Sequence, residues 1–507
     1  MTSTIERAAS TTTTDASPAG RRDASVDLVR ALCLIVVVGL HAMMVGITLV
    51  DGAPVIENAM ERWAWFPLAT WVIQVMPLFF VLGGFSAHGQ WSRMRARGGT
   101  PADYLAARLR RLLPPVAGAI AATALALGGL SLAGLPAALV GEAGFRLSQP
   151  LWFLGVYLLC TLLVPTMVRM HSVAPGTTTA ALVAGALGVD ALRAGTGIEA
   201  IGFANLLLVW LAAQQLGFWI ADGSVDRWSR RTLAGVGSGA LALAVAVCGA
   251  GLSSPDLFQA LNPPTTALVL LGAAQAAAVV LARGRLQRIA ARRRVAAAIG
   301  AINARAMTIY AWHMLVLIGL AGISLASPVL SPEPLGEAWW QSRPVWLLIV
   351  AIGVIAVVRV AGVLESGAVA VVIARPAAGA GAPRFEPLAA VVLAAAAGVL
   401  AVLLAGSAPL TWAVAAIVLL AALVVARGGR RAGTLPAVVA AGASADLDRH
   451  RQHLVALRDT DRDELAGVDD VGRDGEGRRA VVADLDGQRL AAGVAGRGRR
   501  SGLRAVA

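Results

Sequence analysis

Arg30 and His41 stand inside the first long apolar run of the chain, with ten residues between them. An α-helix rises about 1.5 Å per residue, so such a run carries the histidine roughly 16 Å beyond the arginine, near the middle of a bilayer. An ionisable ring at that depth is costly and is kept for function or for a buried partner. A neutral imidazole can take a proton near neutral pH, which makes His41 a candidate general base. Arg30 follows Asp27 by three residues on one helical face, so the two can pair at the membrane edge. The three residues point to proton transfer inside a membrane, beside a fixed cation.

Other groups join them. Arg108 and Arg111 share a helical face just before Leu112-Leu113-Pro114-Pro115. They can grip a phosphorylated ligand in fork geometry, or simply anchor a helix end. Trp152, with Phe153 and Tyr157, opens a later apolar segment, where an interface belt is the plainer reading. Tyr310 and His313 supply a second intramembrane histidine, with packing as the alternative role. Arg305, just ahead of them, reads as an anchor, and His88 and His171 read as solvated segment ends. Cys33, Cys160 and Cys248 sit in apolar runs without paired spacing, so neither a disulfide framework nor a metal site is expected.

The elements that position these residues follow from composition. A mean hydropathy of +0.71 and 57% apolar residues exclude an ordinary soluble globule. Twelve apolar segments fall near 28–50, 66–87, 112–134, 150–168, 178–192, 200–221, 232–252, 265–282, 303–325, 344–363, 387–406 and 409–426. The expected fold is all-α: a polytopic transmembrane helical bundle of about ten core helices plus a C-terminal hairpin. The net charge of +13 comes entirely from arginine, clustered between apolar segments rather than on a face interleaved with aromatics. Nucleic acid is therefore not an expected partner; the lipid bilayer is. Arginine gathers in the even-numbered connections, while the odd-numbered ones carry Asp51, Glu57, Glu61, Glu142 and Asp256. The positive-inside rule then predicts a multi-pass cell-membrane protein with both termini cytoplasmic. Residues 1–21 read as a disordered leader without a cleavable signal, and 433–507 as a disordered charged tail, whose His450 and His453 are not catalytic candidates.

Taken in order, these motifs resemble the integral-membrane acyltransferases of family 3, over roughly 22–363. The resemblance rests on Arg22-Asp23 with Asp27, on Arg30 and His41, and on the run from Pro77 to Phe85. It continues through Arg108 and Arg111, Leu151-Trp152-Phe153-Leu154, and Thr308 to His313. Gly83-Gly84-Phe85 stands where the family has Ser-Gly-Phe, and the hairpin within 364–432 lies beyond the usual ten-helix core. The resemblance implies O-acyl transfer from acyl-CoA, a co-substrate with no permanently bound cofactor, to a hydroxyl of a carbohydrate, lipid or secondary metabolite. It implies a catalytic group of His41, Arg30 and Asp27, with Arg108 and Arg111 on the coenzyme A phosphates. Tyr310, His313 and Trp152 would position the acceptor. The competing class is a multi-pass transporter or flippase whose path would be lined by His41, Gln74, Asn205, Gln214 and His313. Against it, the two halves show no repeat, and the arginine pair favours a phosphorylated donor.

Overall fold

The computed structural model describes residues 23–50, 53–325, 332–373 and 384–427. The sequence expectations for 1–21 and 433–507, together with Arg22, lie outside the described residues.

Helix α1 (Ala24–Met44) starts at Asp23, whose side chain accepts the Ser25 N–H and so caps the helix. It ends six residues short of the expected segment. The chain turns instead into an antiparallel hairpin of β1 (Val45–Val50) and β2 (Ala53–Asn58). The sequence reading had no strand here. The signal was present: β-branched residues flank Asp51-Gly52, a strong hairpin dipeptide.

The second apolar segment divides into α2 (Phe66–Ile73) and α3 (Met76–Ala96). Pro77, in the first turn of α3, has no N–H to bond the carbonyl four residues earlier, which favours a break in the helix there. Gln74 makes good the break, donating to the Leu257 carbonyl at 3.0 Å and accepting the Met76 N–H at 3.2 Å. A Thr100–Asp103 capping box opens α4 (Pro101–Leu132). There follow α5 (Ala137–Ser148), α6 (Leu151–Val173), α7 (Pro175–Thr196), α8 (Asn205–Ala221), α9 (Arg230–Gly249) and α10 (Thr266–Ala290). The short α11 (Arg293–Ala304) leads into α12 (Ala306–Ser324), then α13 (Glu337–Ile373), α14 (Phe385–Ala405) and α15 (Pro409–Arg427). Each expected apolar segment contains helix, although the first runs on into β1 and the second is broken at Gln74. Among the described residues, ten stretches are long and apolar enough to cross a membrane; α7 and the shorter apolar run of α15 fall outside that set.

The centre of the bundle is the seam between α3 and α8. Gly84 lies against the backbone carbonyl of Gln214, and Gly217 against that of Val81, so a Cβ at either place would collide with backbone. Small residues allow this approach, and lipid-embedded helices rely on such packing. Phe80 stacks on Trp210 beside the seam. The last two helices belong to the same core: Val392, Val399, Trp412 and Leu419 are fully or almost fully buried, with α14 packed on α6 and α15 on α4.

Candidate active site

Helices α1 and α12 pack side by side and bring two imidazoles together. His41 Nδ1 lies 2.9 Å from His313 Nε2, and the stacked rings are 5.1 Å apart. His41 sits in the last turn of α1, because α1 ends three residues later and short of the expected segment. The mid-helix imidazole is His313, on α12.

The tautomers follow from one neighbour. His313 Nδ1 is 2.7 Å from the Tyr310 backbone carbonyl. A carbonyl only accepts, so this nitrogen carries a proton. In neutral His313 the Nε2 is then bare and accepts the His41 Nδ1–H. That leaves His41 Nε2 with a lone pair and no partner among the described residues. His313 is fully buried and His41 half-buried, so His41 is the member a ligand can reach.

The Tyr310 hydroxyl donates to the Pro150 carbonyl at 2.6 Å, tying α12 to the start of α6. Its ring meets Phe153 at 5.2 Å, and Phe153 meets Trp152, which lies 5.5 Å from Trp210. Trp152 thus reaches Tyr310 through Phe153 and belongs to the wall behind the pair.

The other end of the bundle gathers cations. Arg30 donates to Ser86 Oγ and, at 3.4 Å, to the Leu82 carbonyl; its Nη1 is 3.7 Å from Asp27. It also lies within reach of the charges of Arg108 and Arg111. Arg108 is buried, with Nε on the Tyr104 hydroxyl at 3.1 Å and Nη2 without a partner. Arg111 is exposed and, with Arg110, Asn303 and Arg305, lines a cavity of about 280 Å³ that has no carboxylate in its wall. The two arginines expected to grip together therefore meet different surroundings, one inward and one in the cavity. Asn303 donates to the Asp27 carbonyl at 2.8 Å while its buried Oδ1 is unpartnered.

Sequence reasoning overlooked Ser86 as a partner of Arg30, and in reading Arg305 as an anchor it did not foresee its place in the cavity wall. The available signal for Arg305 was its position opening the helix that carries Tyr310 and His313. His171 also departs from expectation. It is buried at 2% exposure, with its ring nitrogens 2.9 Å from Gln215 Oε1 and 3.1 Å from Asp222 Oδ2. Burial works to raise the Asp222 carboxyl, but hydrogen bonds from Ser224 and His171 outweigh it and hold the group below its ordinary range. His88 stands near by, its ring 6.1 Å from that of His171. Among the described residues no group of three or more His, Cys, Asp or Glu side chains could hold a metal.

The family model of the acyltransferase domain, acyltransferase family 3, matches residues 23–362. The chain belongs to this family. No curated protein and no solved structure matches it. A membrane acyltransferase needs a place for a donor and a base for its acceptor. Here α12 links two candidates, since Arg305 precedes its first residue and His313 lies eight residues further on, an advance of about 12 Å.

Proposed function

We propose that this membrane acyltransferase takes its acyl group from acyl-CoA and esterifies a hydroxyl of a carbohydrate, lipid or secondary metabolite. The chain lies in the cell membrane with both termini cytoplasmic, as its arginine distribution favours. The observation that carries the reading is the His41–His313 pair, with its unpartnered Nε2.

In the proposed reaction the acceptor hydroxyl gives its proton to His41 Nε2 as its oxygen attacks the thioester carbonyl. The carbon–oxygen bond forms, the carbon–sulfur bond breaks, and the proton passes from Nε2 to the leaving sulfur as free thiol. His313 holds the ring so that the reactive nitrogen faces outward, and Asp27 steadies Arg30. The cavity arginines, with Arg111 and Arg305 foremost, bind the phosphates of coenzyme A, and the unpartnered Nη2 of buried Arg108 supports an anion nearby. Trp152 and Tyr310 shape the wall against which acceptor and acyl chain lie.

Purified protein in detergent, given radiolabelled acetyl- and longer acyl-coenzyme A, tests this. Wild type is expected to bind the thioester and turn it over slowly. His41→Ala should lower turnover about 10²–10⁴-fold with capture intact, and Arg111→Ala should weaken capture. Full turnover in His41→Ala removes the base assignment. A wild type that neither binds nor cleaves any thioester removes acyl-CoA as the donor.

A further inference from the structure

Arg343 lies in the second turn of α13, at the end of the bundle that carries His41. Only 8% of it is exposed. Its Cζ stands 4.3 Å from the centre of the Trp339 ring and 5.5 Å from that of Trp346. Nε donates to the Trp339 carbonyl and Nη2 to Ser342 Oγ, each at 3.1 Å, so the fork is fixed in place. Nη1 has no partner among the described residues.

Three other arginines are paired with acids. Arg62 meets Glu57 and Arg146 meets Glu142, both at 2.6 Å, and Arg193 meets Glu199 at 3.1 Å. Arg343 is more deeply buried than any of these and has no ion pair. An arginine serving as an interfacial anchor extends its head group freely into water, whereas this one is held between two indoles. The two indoles offset part of the cost of burial, but the charge still lacks an anion.

Its location is informative. The Trp346 Nε1–H donates at 2.8 Å to the carbonyl of Ala42, the residue after His41. One indole therefore separates the guanidinium from the backbone that carries the base. Further aromatics continue the surface: Trp340 meets Trp339 at 4.7 Å and Trp63 at 5.6 Å, and 38% of Trp340 is exposed. Flat indoles suit the faces of sugar rings, and a fixed guanidinium suits a carboxylate or phosphate.

We infer that Arg343 and its tryptophans form an acceptor subsite for an acidic sugar, one bearing a carboxylate or a phosphate beside the hydroxyl to be acylated. The inference deepens the proposed acyl transfer and rests on His41 as its base. Arg343 binds the anion, the exposed indole of Trp340 binds the ring, and the neighbouring hydroxyl is offered to His41 Nε2.

The test is binding without any acyl donor, so that it reads separately from thioester turnover. Methyl β-D-glucuronide, glucose 6-phosphate and neutral methyl β-D-glucoside are titrated into the full chain in detergent, with saturation-transfer NMR as readout. At least one acidic sugar is expected to bind about tenfold or more tightly than the glucoside, and less tightly at high salt. Arg343→Gln should abolish that preference. Arg343→Lys, which keeps charge and ring contact but loses the fork, should retain part of it and serves where the glutamine variant does not fold. Equal binding of all three sugars, binding of none, or an undiminished preference in Arg343→Gln overturns the inference. So does an Arg343-dependent phospholipid found by mass spectrometry in place of sugar binding, since the site would then hold a lipid head group. A wild type that binds the acidic sugar but neither binds nor cleaves a thioester would count against acyl-CoA as the donor and leave the subsite standing.

Discussion

At the scale of single residues, the proposed reaction makes His41 the base and His313, in contact with it, the orienter. If His313 serves to accept the His41 Nδ1–H, another acceptor at that position should substitute in part. His313→Gln offers an amide oxygen and is expected to keep measurable transfer. His313→Phe offers none and should lose about 10²-fold. The check is kcat against KM for both variants, with the pH profile alongside. Equal losses in the two would reduce His313 to packing. The Arg30–His41 spacing was legible because it is local to one helix. The partner of His41 was not, since 272 residues separate the pair and only tertiary packing joins them. The place of Arg305 in the cavity wall was hidden for a different reason: helix-end anchors and phosphate ligands have the same composition, and a cavity is not visible in sequence.

At the scale of elements, α1 is clamped at its start. Asp23 caps it and also accepts two bonds from Arg283 of α10, at 2.8 and 2.6 Å. Burial works to raise the Asp23 carboxyl, yet the bonds from Ser25 and Arg283 prevail and hold it below its ordinary range. A carboxylate depressed in this way stabilises the fold above its unfolded pKa of about 3.9, and the contribution is lost as pH falls through the folded value. Asp23→Asn should therefore lower Tm at pH 7, at a cost of about 1 kcal/mol, and the gap from wild type should close in acid. A gap independent of pH would contradict the clamp. The α3–α8 seam makes a second prediction. Gly217→Ala pushes a methyl into the Val81 carbonyl and should cost about 1–3 kcal/mol, read as a drop in Tm in detergent. Helix positions were legible from apolar runs, whereas the breaks were not. Gln74 ends α2 through a bond to Leu257, and no local pattern announces a contact so distant in sequence.

At the scale of the whole molecule, the family match ends at 362 but the packed core does not. Gly144 of α5 lies against the backbone of Gly406, and Gly155 of α6 against Leu400, so the final hairpin is fitted closely to the bundle. A chain ending at 373 contains the entire matched span and should still be less stable in detergent than the full chain, as size-exclusion profiles and Tm would show. Equal stability would make the hairpin dispensable. The sequence reading treated this hairpin as an addition because composition records hydrophobicity and not fit. The sidedness of arginine was plain from the outset, since it is a property of loops alone. The separation of Arg305 from His313 along α12 bears on thermodynamics as well as chemistry. A donor held at both points leaves its carrier where it entered, while its acyl group is handed over nearer the opposite surface. Thioester cleavage would then drive export of an acyl unit directly, with no ion gradient consumed.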